Sequence, residues 1–185
     1  MLETREKVQL MSASEIDRTL VRLAHEILER SSDLERLAFV GIQRRGVPLA
    51  ARLARKIEDL ESRQIPLGKV DIERYRDDLS GSAAARLPVV NSADIPFDVN
   101  GKHVILVDDV LHTGRTVRAA IDALFAHGRP ERVELLVLID RGHRELPIEA
   151  RYVGKVVATK RSENIDVQFH EIDGSEKVLL TERVA

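Results

Sequence analysis

Val104-Ile-Leu-Val-Asp-Asp-Val-Leu-His-Thr-Gly-Arg-Thr116 is the stretch whose reading decides the fold. His103–Val107 (HVILV) has the pattern of a strand buried on both faces. Asp108–Gly114 reads as a polar turn, and Thr116–Phe125 as a helix closed by Gly128 and Pro130. Two adjacent acids thus follow a strand directly, and hydroxyl and glycine residues open the next helix. Backbone N–H groups at a helix start, joined by the Thr113 and Thr116 hydroxyls beside an unobstructed Gly114, make a cradle for phosphate that the helix dipole also favours. The carboxylates of Asp108 and Asp109 can accept hydrogen bonds from ribose hydroxyls or hold hydrated Mg²⁺. A sugar phosphate fits the combination better than phosphate alone. The plain alternative is that Asp109 begins a turn and Thr113 caps a helix, as either does in any α/β protein.

Working outward, the same strand-loop-helix unit occurs earlier. Leu37–Ile42 is a short apolar run, Gln43–Gly46 a loop, and Leu49, Leu53, Ile57 and Leu60 recur at helical spacing. Before it, Ile16, Leu20, Leu23, Ala24, Ile27 and Leu28 mark a helix over Ser12–Glu29, with Ser12 and Glu15 in a capping-box pattern. After the central motif come two further strands, Val133–Ile139 and Tyr152–Val157. Continuous apolar strands alternating with helices predict an α/β fold: a mostly parallel central sheet with helices on both faces. Val70–Tyr75 reads as a strand, and Arg76–Val99, rich in Asp, Ser, Ala and Pro, as a long mobile loop. Val167–Glu171 and Lys177–Leu180 flank Asp173-Gly174 and predict a small C-terminal hairpin.

Bulk properties narrow the function classes. The length of 185 residues suits one domain spanning 1–185, and 43% hydrophobic with 32% charged residues excludes a disordered chain. With 29 basic against 31 acidic residues, the net charge of −2 gives no overall attraction to a polyanion, so any nucleic-acid site must be local. The absence of cysteine removes disulfides, thiolate metal sites and a cysteine nucleophile. Met1–Leu10 has alternating charges and no apolar run, so a cytoplasmic location is expected. There is no G-x-G-x-x-G, and Gly41-x4-Gly46 is followed by Val47 and Pro48, which excludes a P-loop.

VILVDDVLHTGRT closely resembles the PRPP-binding signature of type I phosphoribosyltransferases, where PRPP is 5-phosphoribosyl-1-pyrophosphate. The segments LAHEILER, Val40–Gly46, Asp71–Leu79, Gly128-Arg-Pro130 and Asp140–Pro147 are similar to the PyrR-type pyrimidine-operon regulators, mRNA attenuators that also act as uracil phosphoribosyltransferases. The resemblance runs from about Leu10 to Gly154. It implies the type I phosphoribosyltransferase fold, with PRPP, uracil and UMP or UTP as ligands and Mg²⁺ entering with PRPP. It implies a cytoplasmic homodimer or larger homo-oligomer that binds the 5′ leader mRNA of pyrimidine genes.

Residue by residue, the resemblance places Arg44 and Arg45 on a pyrophosphate loop, and Arg76, with Asp77 and Asp78, at the root of a closing loop. Nucleotide contacts fall on Asp108, Asp109, Val110, Leu111, His112, Thr113, Gly114, Arg115 and Thr116. Arg45, Arg76, Asp108 and Asp109 carry catalysis, and the two acids serve the metal indirectly through PRPP. The base pocket falls on Arg141 and the backbone near Val157, and the RNA surface on Arg22, His25, Arg30, His143 and Arg144. His112 stands where relatives usually have Tyr, Glu149 where they often have Arg, and Val21 where some have Thr. A salvage uracil phosphoribosyltransferase without an RNA role, and a nucleotide-sensing scaffold without turnover, are the competing readings.

Overall fold

The computed structural model describes residues 3–73 and 89–184. A six-stranded sheet has the order β4-β3-β2-β5-β6-β7, built from β2 (Leu37–Ile42), β3 (Leu67–Glu73), β4 (Val89–Asp94), β5 (His103–Leu111), β6 (Arg132–Asp140) and β7 (Tyr152–Val156). All neighbours are parallel except β3 and β4. The helices are α1 (Ala13–Arg30), α2 (Gly46–Glu61), α3 (Arg115–Phe125) and the single turn α4 (His170–Asp173).

Period-two alternation sorts the strand residues between two cores. Phe39, Ile105, Val107, Leu136 and Leu138 meet α1 and α2, whereas Val40, Leu106, Leu135 and Val137 meet α3. Helices therefore lie on both faces, as the apolar runs predict. The capping box at Ser12 forms as expected: Glu15 N–H donates to the Ser12 hydroxyl, and Ser12 N–H to the Glu15 carboxylate.

A second sheet, ordered β1-β9-β8, joins β1 (Glu3–Ser12) to the hairpin of β8 (Glu163–Gln168) and β9 (Lys177–Val184). It shares the α1–α2 core through Val167, Phe169 and Val178. The predicted hairpin is present, interrupted by α4. Two expectations are corrected, and the N-terminal stretch adds a strand of which the sequence reading says nothing, because β9 supplies the pairing that its charged sequence does not advertise. Part of the expected 76–99 loop is the antiparallel edge strand β4, held by β3. The strand β5 continues to Leu111, so Asp108–Leu111 belongs to the sheet and the turn occupies only 112–114. The expected mobile loop otherwise falls on residues outside those described.

Candidate active site

The strand order reverses between β2 and β5, since β3 lies outside β2 and β6 outside β5. At such a switch point the loops beyond the carboxyl ends diverge and leave a crevice. Gly41 pairs with Val107 across the two strands. Gly46, the first residue of α2, lies so close to β5 that a Cβ there would fall 2.2 Å from the Val107 carbonyl oxygen. A glycine is required at this approach, and it seats the 43–46 loop against the start of the acid pair.

Asp108 and Asp109 extend β5 into this crevice. Asp109 N–H donates to Asp108 Oδ1 at 2.9 Å, and Val110 N–H to Asp109 Oδ1 at 3.0 Å. Burial pushes the Asp108 carboxyl well above the usual carboxylate range, and the neighbouring Asp109 charge acts in the same direction. Burial also raises Asp109, opposed by its hydrogen bond with Asp108 and by the charge of Arg45. Two adjacent carboxyls, Asp108 buried and Asp109 half-buried, resist double ionisation. Sugar hydroxyls or a cation arriving with a ligand relieve that cost, so the donor set fits Mg²⁺ carried by a phosphorylated sugar.

Gly114 turns the chain in the left-handed region, with φ +92, and α3 follows immediately. Thr113 is buried, and its hydroxyl accepts from Arg115 N–H at 3.3 Å. His112 is half-buried, its ring edge-on to His143 at 5.9 Å. The segment after β6 braces this loop from behind. Glu145 and Leu146 N–H groups donate to the Thr113 carbonyl at 3.0 and 3.2 Å, Arg144 Nη1 donates to the His112 carbonyl at 2.9 Å, and Arg115 pairs with Glu145 at 2.6 Å. Val110 and Leu111 are the last strand residues before the loop, and Thr116 lies in the first turn of α3.

Arg44 and Arg45 follow β2, and the Gln43–Arg44 peptide is cis. Arg44 is exposed. Arg45 is turned inward and makes a two-pronged ion pair with Asp173 of α4, at 2.8 and 3.2 Å. Arg76, Asp77 and Asp78 lie outside the described residues. Sequence reasoning missed Asp173 because nothing local links it to a partner 128 residues away.

Arg141, expected at the base pocket, is buried at the end of β6. Its guanidinium donates to Thr159 Oγ1, Asn164 Oδ1 and the Lys160 and Glu163 carbonyls, so it fastens the 157–164 connection over the crevice. Val157 N–H is taken by the Asp140 carbonyl at 2.8 Å. Whatever these residues offer a base, they first shape the wall around it.

The five residues expected to meet RNA fall in two groups. On α1, Arg22 donates to the Val153 and Gly154 carbonyls of β7 at 3.1 and 2.7 Å, and Arg22 and Arg30 flank Glu26 at 3.4 and 3.1 Å. Arg30 also lies over the Tyr152 ring, and His25 is exposed. Arg18, Arg22 and Lys155 line an open cleft of about 320 Å³ between α1 and β7. The second group folds inward: His143 Nε2 is 2.7 Å from the Thr159 carbonyl, and Arg144 pairs with Asp140 while holding His112 and Ile148.

Comparison with known proteins places this geometry in context. The family model described as a phosphoribosyl transferase domain matches residues 10–170. A bifunctional protein PyrR of Pelotomaculum thermopropionicum is 56% identical over 178 residues, covering 96% of this chain and 97% of the relative. A bifunctional protein PyrR of Thermus thermophilus is 54% identical over 179 residues, covering 97% and 98%. In shape, the chain is similar to a hypoxanthine-guanine phosphoribosyltransferase of Bacillus anthracis, with a TM-score of 0.72 over 97% of this chain and 99% of that one, at 20% identity.

Proposed function

The chain belongs to the phosphoribosyltransferase family, and within it to the bifunctional PyrR proteins; from that membership we propose that it converts uracil and PRPP to UMP and pyrophosphate, and attenuates pyrimidine-gene transcripts by binding their 5′ leader mRNA in response to UMP or UTP. The observation that carries the catalytic half is the buried acid pair, followed by a glycine-opened helix, at the point where the strand order reverses. That is where a phosphate and a ribose can be held together.

In this reaction N1 of uracil displaces pyrophosphate from C1 of the ribose, through a transition state with positive charge on the sugar. The work left to the protein is positioning and charge balance. Thr113, Gly114, Arg115 and Thr116 receive the 5′-phosphate, with Val110, Leu111 and His112 shaping the approach. Asp108 and Asp109 accept from the ribose hydroxyls and place negative charge beside the developing cation. Arg45, with Arg44, faces the departing pyrophosphate, and Arg76 is assigned, from its place in sequence, to the root of the loop that closes over the reaction centre. Asp108 and Asp109 would hold, indirectly, a Mg²⁺ carried in by PRPP, which would supply neutralising charge for the leaving group. The enclosed wall built by Arg141 and the backbone around Val157 supports placing uracil there. No covalent nucleophile is required.

For RNA, the exposed face of α1 with Arg22, His25 and Arg30, beside the cleft that Lys155 enters, supports a local basic surface on a chain of net charge −2. His143 and Arg144, which turn inward to the Thr159 carbonyl and to the 112–114 turn, are assigned to the RNA surface from the resemblance alone. Single-stranded loops offer splayed bases and phosphates to such a surface. Among the described residues no helix is long and apolar enough to cross a membrane. From the likeness to the PyrR proteins we assign the protein to the cytoplasm as a homodimer or larger homo-oligomer.

The test is binding of a pyrimidine-operon 5′ leader RNA and an unrelated RNA of equal length, at fixed salt, with and without UMP, beside an assay of UMP formation. Leader-selective binding that UMP strengthens, together with turnover, is expected. Turnover without leader preference would reduce the protein to a salvage enzyme, and neither activity would leave a nucleotide-sensing scaffold.

A further inference from the structure

Arg45 is held from both sides by parts of the molecule that have different anchors. Its backbone belongs to the 43–46 loop, pinned to β5 through Gly46. Its guanidinium belongs to Asp173, Nη2 to Oδ1 at 2.8 Å and Nε to Oδ2 at 3.2 Å, with the two side chains only 17% and 19% exposed. Asp173 is fixed independently. Its Oδ2 also accepts from Phe169 N–H at 2.9 Å, and Phe169 is fully buried in the α1–α2 core. Arg52 of α2 bolts the same turn down, with two-pronged pairs to Glu171 and to Glu176 and its guanidinium 5.0 Å above the Phe169 ring. The carboxylate of Asp173 cannot follow Arg45 if the guanidinium turns elsewhere.

The electrostatics point the same way. Arg45 feels Asp109 and Asp166 as well as Asp173, so the guanidinium stands between the nucleotide-loop acid and the second sheet. A guanidinium binds one carboxylate or one phosphate edge along a given pair of N–H groups. Asp173 takes the Nε–Nη2 edge, one of the two along which a guanidinium can hold a pair of pyrophosphate oxygens, and a pyrophosphate bound on that edge must displace it.

On the reading of 43–46 as the pyrophosphate loop, we infer that Asp173 is a positioning residue that stands in for pyrophosphate: it holds Arg45 in the unliganded site, is displaced when PRPP binds, and recaptures the guanidinium as pyrophosphate leaves. The contact weakens binding of PRPP and of pyrophosphate alike, and speeds release of the product.

The experiment is calorimetric titration of the full chain with Mg²⁺-pyrophosphate, and separately with UMP, for the wild type, Asp173→Asn, Arg45→Ala and the double variant. Asn keeps an oxygen for Phe169 N–H, and Asp173→Ser, whose hydroxyl also accepts from a backbone N–H, serves as a second charge-removing variant. Both variants should bind pyrophosphate about fivefold more tightly, the factor corresponding to an ion pair of ~1 kcal/mol, with UMP affinity unchanged. In turnover, KM for PRPP should fall without a rise in kcat. A merely structural role would instead lower thermal stability and move UMP affinity. The double variant should match Arg45→Ala, since without the guanidinium there is nothing to release. Unchanged or weaker pyrophosphate binding in both charge-removing variants overturns the inference. If Arg45→Ala alone binds pyrophosphate like the wild type, the pyrophosphate-loop reading itself fails and takes the inference with it.

Discussion

Gly46→Ala asks whether the 43–46 loop has to touch β5 for the site to work. The added Cβ would lie 2.2 Å from the Val107 carbonyl oxygen, 3.1 Å from its carbon and 3.2 Å from Asp108 Cα. These are backbone atoms of a central strand, so no side chain can swing aside. Ordinary contact begins near 3.4 Å, and loop and strand must part by about 1 Å. Overpacking of this kind costs roughly 1–3 kcal/mol, partly offset by the better helix propensity of Ala, about 1 kcal/mol at most. A melting point a few degrees lower is expected for a chain of this size. Activity should suffer far more. The displacement separates Arg45 from Asp109, and a misplacement of about 1 Å among reacting groups can cost on the order of 100-fold. The assay is kcat/KM for PRPP in uracil-dependent UMP formation, paired with thermal denaturation. Gly101→Ala is the control: φ is +66 there, but a Cβ would meet nothing within 4 Å. It should cost about 1 kcal/mol of stability through backbone strain and leave turnover alone. A Gly46→Ala protein with kcat/KM within about twofold of wild type would refute the role given to this contact.

Asp108→Asn with Asp109→Asn should leave a folded, slightly more stable protein, because two buried carboxyls that resist ionisation become neutral, while UMP and PRPP affinity falls at least tenfold; unchanged affinity by calorimetry would remove the pair from the site. Arg144→Ala should weaken UMP binding about tenfold as well as RNA binding, since Arg144 holds the His112 carbonyl and Asp140, whereas Arg22→Ala should weaken only RNA binding; UMP affinity untouched by Arg144→Ala would show that the brace is dispensable. His103 sets a pH dependence. Burial holds its imidazole below the ordinary range despite Glu134 at 2.9 Å, and Arg132 donates to its Nδ1. The folded state therefore binds this proton less readily than the unfolded chain, so the contribution is intact above about pH 6.5 and is lost as the pH falls from there towards the folded value. Melting points measured from pH 7.5 down to 5.5 should fall less steeply for His103→Gln, and equal slopes would refute the assignment.

The parts of this molecule legible in sequence are those whose causes are local. The helix α1 announces itself by apolar spacing and by Ser12 and Glu15, and both caps form from residues three apart. The parallel strands are legible because burial on both faces demands unbroken apolar runs, and the turn from β5 into α3 because its glycine, hydroxyls and acids are contiguous. The strand β1 escapes notice: Thr4-Arg-Glu-Lys-Val-Gln9 carries no apolar alternation, and only β9, far along the chain, makes it a strand. The strand β4 likewise owes its pairing to β3. Side-chain roles diverge most where ion pairs close long loops. The resemblance places Arg144 on the RNA surface, yet a carbonyl 32 residues away turns it into a brace for the 112–114 turn. Arg45 reads as a residue of the 43–46 loop, but its partner Asp173 sits in a hairpin turn that looks like simple punctuation. An acid before a glycine is the ordinary chemistry of a turn, and Asp173 does occupy one. What gives it a second use is the distance from a loop it reaches only after the second sheet has docked on α2 through Arg52 and Phe169, a property of the assembled cores rather than of any window of sequence.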